Sequence, residues 1–587
     1  MNRIAWGCLG LLLLLAAPIS AGEGGGGGTF EFQVLTDGPK LRRDLPWPEK
    51  SPIYDAARKE IHLSGARNEV LGFQIFMRAK NGTIAGVNIK AGDLAASAGK
   101  DTIAMKNIEF FREWFTKVET ASRSGENVFG LGPGEYPDPL VPLAAPKFGA
   151  PFDLQDKTEI LFGDLYIPNG TAPGDYRGVL TLSAASGALE KLNVALTVWN
   201  FTLPEESHFK NIMFYEREFI RWGFRNPSAD DEMKIEEDLF KLAHRHRINT
   251  GGDCGMRASD EAWEEYCKRY GKYFSGAAFT ESPGKGVPMY LWRVGFGNPD
   301  ADEATLRQQI KATVDFFGKK GWLDSIVLGG PDEPKPGAFA QIGKLAKFTR
   351  EASGGKLKYF LPGAGPEPVY QDYVDIWDGC WSQKDLAWQA ERLKAGQHIW
   401  YAGGFGAPAN PCMDSAAYGN RSWPWVGWKY HYEGFEMWHS VYWVDKFNGV
   451  YHMPSDQRAD VDRNPEKYLN VWKNPATLTF DEGRRRHGER WKDDILQNGS
   501  TSIFYPGYDV GLPKQVVASF KAKDYRRGAQ DYEYLWLLDQ AGEKKPIDDA
   551  LAKLLSGDKV TLDDAVWESV RQDMGKRLSE KTVAGKP

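Results

Sequence analysis

Short runs of alternating hydrophobic and polar residues fill the first third of the chain. From Phe30 to Leu203 these runs are interrupted by Gly, Pro, Asn and Asp. The clearest runs are 70–77, 178–182 and 192–199. A period of two with frequent turn residues is typical of antiparallel strands packed as a β-sandwich. The pattern therefore predicts an antiparallel β-sandwich domain over residues 30–205.

After residue 205 the pattern changes to strands that alternate with amphipathic helices. In the first predicted helix, Ile235, Leu239, Leu242 and His246 lie on one stripe at spacings of four, three and four. The predicted strands are 212–215, 287–292, 325–328, 357–361, 374–377, 398–402, 435–443 and 502–505. About eight such units, without a Gly-rich phosphate loop after the first strand, favour a (β/α)8 TIM-type barrel over an open sheet. We expect the barrel to occupy residues 206–540 and a charged helical tail to occupy 541–587.

The N-terminus has the features of a secretory signal. Arg3 precedes an apolar run over 9–17, and small residues follow up to Ala21. This order predicts a signal peptide over 1–21, followed by a Gly-rich leader over 22–29. We expect an exported protein, periplasmic or extracellular, with no later segment apolar enough to span a membrane.

The composition narrows the class of partner. The 587 residues contain 73 Lys and Arg against 79 Asp and Glu, which gives a net charge of −6 and no basic field for nucleic acid. Aromatic residues make up 13% of the chain, and flat rings with polar edges suit sugar binding as well as core packing. Oligomeric state and natural glycan stay open. The pairing of the four cysteines after the signal, Cys254, Cys267, Cys380 and Cys412, also stays open.

Two adjacent acids are the sharpest candidates for chemistry. Asp332 and Glu333 follow the predicted strand 325–328, and active sites of parallel barrels lie at the carboxyl ends of the strands. Pro334 favours an extended conformation at Glu333, so the two side chains would point in different directions. Like charges this close should raise one pKa, as a general acid requires. A solvated turn is the alternative interpretation, because Asp, Glu, Pro and Gly are all turn residues.

Other polar candidates carry weaker signals. Glu216 and Glu218 follow the first barrel strand, while Asp253 and Asp445 follow later apolar segments. Any of them also fits a cap or a surface charge. The histidines do not have the spacing of a zinc-binding helix. His244 and His246 are two residues apart, and His431, His439 and His487 stand singly. We therefore predict neither a metal nor a cofactor.

An aromatic cluster over residues 423–443 is the second signal. Trp438 and Tyr442 would share one strand face, and Trp443 would take the other. Core packing explains each ring singly, whereas their density favours a contribution to sugar stacking. The candidate substrate contacts are Glu216, Asn249, Trp292, Tyr401, Trp428, Trp438, Tyr442 and Trp443.

With these residues in view, the sequence resembles glycoside hydrolase family 123 and the broader bacterial group that carries domain of unknown function 4091. The resemblance extends from about Phe30 to Leu538. In the predicted sandwich, the matching stretches are Ala-Arg-Asn-Glu-Val-Leu-Gly-Phe-Gln at 66–74 and Pro-Gly-Asp-Tyr-Arg-Gly at 173–178. In the predicted barrel, they are Asp-Glu-Pro at 332–334, Gly-Trp-Lys-Tyr at 427–430 together with Gly434, and the segment 522–535.

The resemblance implies an exo-β-N-acetylgalactosaminidase that acts by substrate assistance and without a metal. In that scheme the 2-acetamido oxygen of the sugar attacks its own anomeric carbon. Asp332 would orient the acetamido group, and Glu333 would protonate the leaving oxygen and then activate water, with retention of configuration.

Two alternatives stay open. The first is a glycosidase of other sugar specificity that uses a protein nucleophile, for instance Glu216 opposite Glu333. The second is a non-catalytic glycan-binding protein that keeps the aromatic platform but has no working pair of acids.

Overall fold

A computed structural model gives the fold. It describes residues 22–23, 28–124, 127–379, 386–402, 411–443, 455–467, 471–473, 476–479, 495–557 and 559–583. The predicted signal peptide over 1–21 lies outside these residues, and so do three residues named above, Cys380, Asp445 and His487.

The N-terminal third consists of strands, most of which form two facing sheets. The strands are β1 (Gly22–Glu23), β2 (Thr29–Thr36), β3 (Tyr54–Asp55), β4 (Glu60–Arg67), β5 (Glu69–Lys80), β6 (Ile84–Ala91), β7 (Leu94–Ala96), β8 (Thr102–Ile103), β9 (Ile108–Val118), β10 (Arg123–Ser124), β11 (Asn127–Val128), β12 (Gly134–Pro142), β13 (Phe152–Leu154), β14 (Glu159–Ile167), β15 (Gly174–Ala184) and β16 (Gly187–Thr202). One sheet has the order β1-β2-β5-β14-β9-β12, and the other has the order β13-β6-β15-β16-β4-β3, whereas β10 and β11 join a separate small sheet with residues 476–479 and 495–498.

The two sheets share one hydrophobic core. Alternate residues such as Phe73 and Ile75 of β5 pack against Leu180 and Leu182 of β15 from the opposite sheet. This is the two-layer arrangement that the period of two predicted. One pairing differs from the antiparallel expectation, because β16 runs parallel to β4. No hairpin connects these two strands, so the local sequence does not fix their relative direction.

The C-terminal part is built around a curled parallel sheet. Its eight strands are β17 (Lys210–Met213), β18 (Asp253–Gly255), β19 (Trp292–Gly295), β20 (Ile326–Gly329), β21 (Tyr359–Leu361), β22 (Ile376–Trp377), β23 (His398–Ala402) and β24 (Gly434–Met437), in the order β17-β24-β23-β22-β21-β20-β19-β18. The N–H groups of Met213 and Tyr215 donate to the carbonyls of Asn249 and Gly251, just before the other edge strand. The sheet is of the TIM-like kind, and a complete (β/α)8 barrel stays a prediction.

Helices connect and surround these strands. They are Arg217–Gly223, Ala229–Arg245, Asp260–Phe274, Glu303–Lys320, Phe339–Ser353, Leu386–Lys394, Ser422–Tyr430, Ser455–Arg463, Phe520–Gln540, Lys544–Leu554 and Asp564–Val583. Short 3-10 turns lie at Met105–Asn107, Leu323–Ser325, Pro336–Ala338, Pro465–Lys467 and Gly507–Val510. The remaining strands are β25 (Ala476–Thr479), β26 (Ile495–Asn498), β27 (Phe504–Pro506), β28 (Val516–Ala518), β29 (Leu555–Ser556) and β30 (Lys559–Val560).

Two predicted barrel strands were wrong. The segment 502–505 does not join the parallel sheet, because β27 pairs antiparallel with β28 as a hairpin. Its place is taken by β18, three residues that follow Gly251-Gly252 and carry little hydrophobic signal. The predicted strand 287–292 begins instead at Trp292. An apolar run identifies a strand but not its partner, which explains the first error.

Buried ion pairs join the sandwich to the C-terminal part. Lys523 and Arg526 of helix Phe520–Gln540 both pair with Asp164 of β14. On the same helix, Arg527 pairs with Glu69 of β5. The two sequence stretches 66–74 and 522–535 therefore meet at the domain boundary, far along the chain from each other.

Among the described residues, Cys254, Cys267 and Cys412 are free thiols. Within the same residues, no helix is both long enough and apolar enough to cross a bilayer.

Candidate active site at the carboxyl edge of the parallel sheet

Side chains on the inner face of the curled sheet change from apolar to charged along the strands. One layer consists of apolar residues in mutual contact: Ile212, Phe214, Leu291, Val327, Phe360, Ile376 and Trp400. Two residues beyond Leu291 comes Arg293, and two residues beyond Ile376 comes Asp378. Because side chains at i and i+2 share a face of a strand, both point into the same space. Glu436 of β24 belongs to this layer, since its neighbour Phe435 packs on the outer side against Trp423.

The guanidinium in this layer is held by a bidentate ion pair. Arg293 Nε and Nη2 donate to Asp253 Oδ1 and Oδ2 at 2.5 and 2.6 Å. The guanidinium carbon also lies 4.3 Å from the ring centroid of Phe214. Burial acts to lower the pKa of Arg293, but Asp253, Glu436 and Asp332 outweigh it, so the net pKa is raised. Arg293 is thus a fixed positive charge that faces several carboxylates.

Beside Arg293, two buried carboxyl groups are hydrogen-bonded to each other. Asp378 is 1% exposed and Glu436 is 8% exposed. Burial, and then the field of Asp332, raise the pKa of Asp378 to about 7, although hydrogen bonds from Gly379 N–H and from Glu436 act against the rise. Burial and the neighbouring Asp378 raise the pKa of Glu436 well above its usual range. The pair therefore holds at least one proton at neutral pH.

The adjacent acids Asp332 and Glu333 lie at the same edge, just after β20, and both are exposed. Glu333 has a φ of +41°, so the extended conformation predicted from Pro334 is wrong. A non-glycine residue with positive φ is strained, and such strain persists only where surrounding contacts enforce it. The preference set by a following proline is local, and here the packing of the loop overrides it.

Gly363, which follows β21, packs against both of these acids. A Cβ atom at this position would lie 2.9 Å from Glu333 Cγ and 3.2 Å from Asp332 Oδ1. Gly363 has a φ of +64°, and its N–H donates to the carbonyl of Asp378 at 3.1 Å. The missing side chain therefore lets three strand ends meet closely, and it brings both acids of the predicted pair to one point.

Comparison with known proteins identifies the kind of domain that carries these residues. Residues 291–538 match the family model of the glycoside hydrolase 123 catalytic domain. The chain carries a glycoside hydrolase family 123 catalytic domain. The resemblance predicted from the sequence is thereby confirmed, and the protein is a glycoside hydrolase.

One solved structure agrees with this assignment at the level of the fold, and a second is similar only in part. A family 123 glycoside hydrolase from Clostridium perfringens, studied for glycolipid glycan hydrolysis, has a TM-score of 0.65 and 11% identity, and the match covers 94% of this chain and 98% of that one. A family 39 glycoside hydrolase from Bacteroides cellulosilyticus WH2 has a TM-score of 0.27 and 10% identity, over 60% of this chain and 73% of that one. No curated protein sequence matches the chain.

Of the predicted aromatic contacts of this hydrolase, Trp438 is the one that is exposed at the carboxyl edge. It follows β24 directly, with 37% of its surface accessible, and its ring centroid lies 5.1 Å from that of Tyr442. Trp428, at the end of helix Ser422–Tyr430, is half-buried and packs on Tyr532. Glu216 is half-buried at the start of helix Arg217–Gly223, directly after β17.

The other predicted contacts are buried and have protein partners. Asn249 Nδ2 donates to the carbonyl of Tyr290 at 2.8 Å, and its Oδ1 accepts from the N–H of the same residue. Trp443 Nε1 donates to the carbonyl of Phe504, and the Tyr401 hydroxyl donates to the carbonyl of Trp423. Trp292, Tyr401, Tyr442 and Trp443 are each at most 2% exposed. This geometry fits packing, which was the other interpretation of the aromatic cluster.

The histidines are also engaged elsewhere. Burial lowers the pKa of His244 to about 4 and that of His439 to about 3. His244 Nε2 is 2.9 Å from the carbonyl of Gly284. Within the described ranges, no group of three or more His, Cys, Asp or Glu residues could hold a metal ion.

Two large cavities lie away from the acids. One, of about 1120 Å³, separates the sandwich from the parallel-sheet domain and is lined by residues such as Asp164 and Arg526. The other, of about 790 Å³, is lined by residues at the opposite edge of the sheet, such as Lys210 and Glu433. The acids Asp332 and Glu333 border neither cavity. They stand at an open mouth formed by the strand ends.

Sequence reasoning missed Arg293, Asp378 and Glu436. Each lies two positions beyond a residue on the inner face of its strand, and this period-two signal could have identified them once the strand ends were known. The family match includes all three, as well as Asp332 and Glu333, whereas Glu216 and Asp253 precede it.

Proposed function

We propose that this glycoside hydrolase removes terminal β-linked N-acetylhexosamine, with N-acetylgalactosamine as its preferred sugar, by a retaining, substrate-assisted mechanism. The observation that carries the proposal is the match to the family 123 catalytic domain, which includes the adjacent acids at the mouth of the parallel sheet. We also propose export to the periplasm or the cell exterior, on the basis of the signal-like residues 1–21.

In this mechanism the two acids act at different atoms of the sugar. Asp332 orients the 2-acetamido group, whose carbonyl oxygen attacks the anomeric carbon while the glycosidic bond breaks. Glu333 gives its proton to the leaving oxygen. In the second half, Glu333 takes a proton from water, the water oxygen attacks the anomeric carbon, and the bond to the acetamido oxygen breaks. Two inversions give net retention.

The surroundings of the acids support this division of roles. Asp253 is committed to Arg293, and Asp378 and Glu436 are committed to each other. Asp332 and Glu333 are exposed at this edge and have no ion-pair partner among the described residues, so a substrate can reach them. The φ of +41° at Glu333 shows that its backbone is held against a local preference, as expected where a site needs a fixed geometry.

The proposal is tested with a chromogenic aryl β-N-acetylgalactosaminide. Glu333→Gln and Asp332→Asn should each lower kcat by about 10²- to 10⁴-fold, the usual loss when a general acid–base group is removed. Asp324→Asn is a matched control, because Asp324 is exposed near the amino end of β20, the strand that leads to the two acids. Unchanged kcat in Glu333→Gln would disprove the role of Glu333.

A mechanism with a protein nucleophile is the second candidate, because Glu216 follows β17 at the same edge of the sheet. It predicts hydrolysis of aryl β-galactosides that have no acetamido group, and loss of that activity in Glu216→Gln. Substrate assistance predicts that such galactosides are not cleaved and that Glu216→Gln keeps the acetamido activity.

A further inference from the structure

The cleft between the sandwich and the parallel-sheet domain is large enough for a ligand and has no part in the proposed catalysis. Its volume of about 1120 Å³ lies just above the range usual for ligand sites, roughly 300–1,000 Å³. One wall is formed by the end of helix Ala229–Arg245, which leads to β18, and by residues around Ser282, which lead to β19. These segments precede the amino ends of their strands. The cleft is therefore separate from the carboxyl edge, where Asp332 and Glu333 lie.

The opposite wall, from the sandwich, carries aromatic rings. Phe110 and Phe111 of β9 and Tyr166 of β14 line the cleft, and all three are half-buried. The ring of Phe111 also lies 4.0 Å from Lys523 Nζ. Aromatic rings that keep part of their surface exposed in a concave site are suited to the apolar faces of sugar rings.

Polar atoms without a protein partner lie in the walls of the same cleft. Asp238 Oδ2 accepts from Val516 N–H at 2.7 Å, whereas Asp238 Oδ1 has no hydrogen-bond partner among the described residues. Burial lowers the pKa of His246 well below its usual range, so the ring is neutral. Its Nδ1 donates to the carbonyl of Leu242 at 2.7 Å, which leaves Nε2 as an acceptor. Within the described part of the chain, His246 Nε2 and Arg526 Nε are buried and unpartnered.

These atoms are both acceptors and donors, and a sugar hydroxyl can serve either kind. A hydroxyl group donates one hydrogen bond and accepts others, so a polyol matches a wall that presents carboxylate and imidazole acceptors beside a guanidinium donor. Leaving such groups without a partner costs free energy, which a bound ligand can recover.

The charges of the cleft are balanced, which favours an uncharged ligand. Five acidic and five basic side chains line it. Several are already paired there, because Asp164 binds Lys523 and Arg526, and Arg245 pairs at 3.2 Å with Glu109 from the opposite wall. A lining without an excess of either sign does not attract an anion or a cation from solution.

We propose that this cleft is a second glycan-binding site, which binds an uncharged oligosaccharide and holds it to the enzyme apart from the mouth where hydrolysis takes place. The inference goes beyond the proposed function and does not depend on which terminal sugar is removed. A glycoside hydrolase meets its terminal sugar as part of a longer glycan, so a second contact with that glycan raises the local concentration of cleavable ends.

The first test applies the full-length protein to an array of neutral, sulfated and sialylated oligosaccharides, with an excess of N-acetylgalactosamine to occupy the mouth. We expect neutral oligosaccharides to stay bound. Calorimetric titration with a retained neutral oligosaccharide then gives Kd. Asp238→Ala should raise Kd about 10-fold, the loss expected for a hydrogen bond to a charged group. Asp238→Asn, which keeps an acceptor for Val516 N–H, should raise it less.

Asp230→Ala is the matched control, because Asp230 is exposed on the same helix and does not line the cleft. It should leave Kd unchanged, and all three variants should keep the wild-type kcat/KM for an aryl β-N-acetylgalactosaminide. Hydrogen exchange locates the bound oligosaccharide without a variant. Exchange should slow in peptides that cover 106–111 and 280–285 but not in those that cover 330–334.

The outcomes separate this inference from the proposed function. If no aryl hexosaminide is hydrolysed but neutral oligosaccharides bind and Asp238→Ala weakens them, the proposed function fails and the second site stands. The inference is overturned if no oligosaccharide is retained, if only charged ones are, or if N-acetylgalactosamine displaces them. A Kd that Asp238→Ala does not change, or protection confined to residues 330–334, would overturn it as well.

Discussion

Gly363 supports the loop that carries Asp332 and Glu333, and replacing it tests how tightly the site depends on that contact. In Gly363→Ala the new Cβ would lie 2.9 Å from Glu333 Cγ, 3.0 Å from Glu333 N and 3.2 Å from Asp332 Oδ1. Carbon atoms in contact normally stay about 3.5–4.0 Å apart, so the loop must move by roughly 0.6–1 Å. The alanine must also adopt a φ near +64°.

The two effects have separable magnitudes. A left-handed conformation costs an L-residue about 1–2 kcal/mol, and overpacking costs about 1–3 kcal/mol more. We therefore expect the free energy of unfolding to fall by about 2–5 kcal/mol. A displacement of a catalytic group by about 1 Å can lower activity about 100-fold, which is the loss in kcat/KM expected for Gly363→Ala.

Gly354→Ala is the matched control. Gly354 has a φ of +61°, and a Cβ there would meet no atom within 4 Å. This variant should lose about 1–2 kcal/mol of stability from the backbone alone and keep full activity. Urea unfolding and aryl hexosaminide kinetics measure both quantities. Full activity in Gly363→Ala, or an equal loss of activity in both variants, would refute the argument that Gly363 fixes the acids.

Three further predictions concern the ion pairs, the aromatic ring and the carboxyl pair. Burial acts to raise the pKa of Asp164, but the positive charges of Arg526 and Lys523 outweigh this effect and hold the pKa well below its usual range. Its contribution to stability is therefore complete above about pH 4 and declines as the pH falls further, and Asp164→Asn should cost about 3–5 kcal/mol in urea unfolding at pH 7. Trp438→Ala should raise KM with little change in the unfolding midpoint, whereas Trp425→Ala, 1% exposed in the wild type, should lower that midpoint strongly; equal effects on both quantities would contradict the placement of Trp438. The pKa of Asp378 is raised to about 7, so the folded state binds more protons than the unfolded state from about pH 4 to 7; stability should fall with rising pH there, and Asp378→Asn should flatten that slope.

Local patterns predicted the helices well. The stripe that contains Leu306 and Phe317 corresponds to helix Glu303–Lys320, whose ends are set by Asp302, which accepts from Thr305 N–H, and by Gly321 at a φ of +72°. These signals lie within a few residues of the helix that they define. Helix propensity, capping and burial favour the same structure here, so the sequence alone was sufficient to predict the helix.

Contacts between distant segments could not be predicted in this way. Asp378 directly follows β22 and Glu436 lies in β24, and nothing in the residues around either shows that their carboxyl groups come together. The prediction of an extended conformation at Glu333 was wrong for the same reason, because Gly363, at the end of another strand, packs against Glu333. The aromatic cluster predicted a platform, but the density of rings reflects mostly the core, and Trp438 is the predicted contact that is exposed at the mouth.

The helix Phe520–Gln540 explains how residues far from the mouth can govern it. Its Asp531 pairs with Arg421, and its Asp524 accepts a hydrogen bond from Arg421 N–H at 2.9 Å. Arg421 begins the helix that leads directly into β24, the strand that carries Glu436. Removing one partner of a buried charge pair leaves the other uncompensated, so these bonds hold the helix in one position. The same helix is fixed to the sandwich through Asp164. The sandwich therefore acts as a rigid support for the strand at the mouth, which gives the resemblance over residues 522–535 a structural reason although none of them reaches the acids.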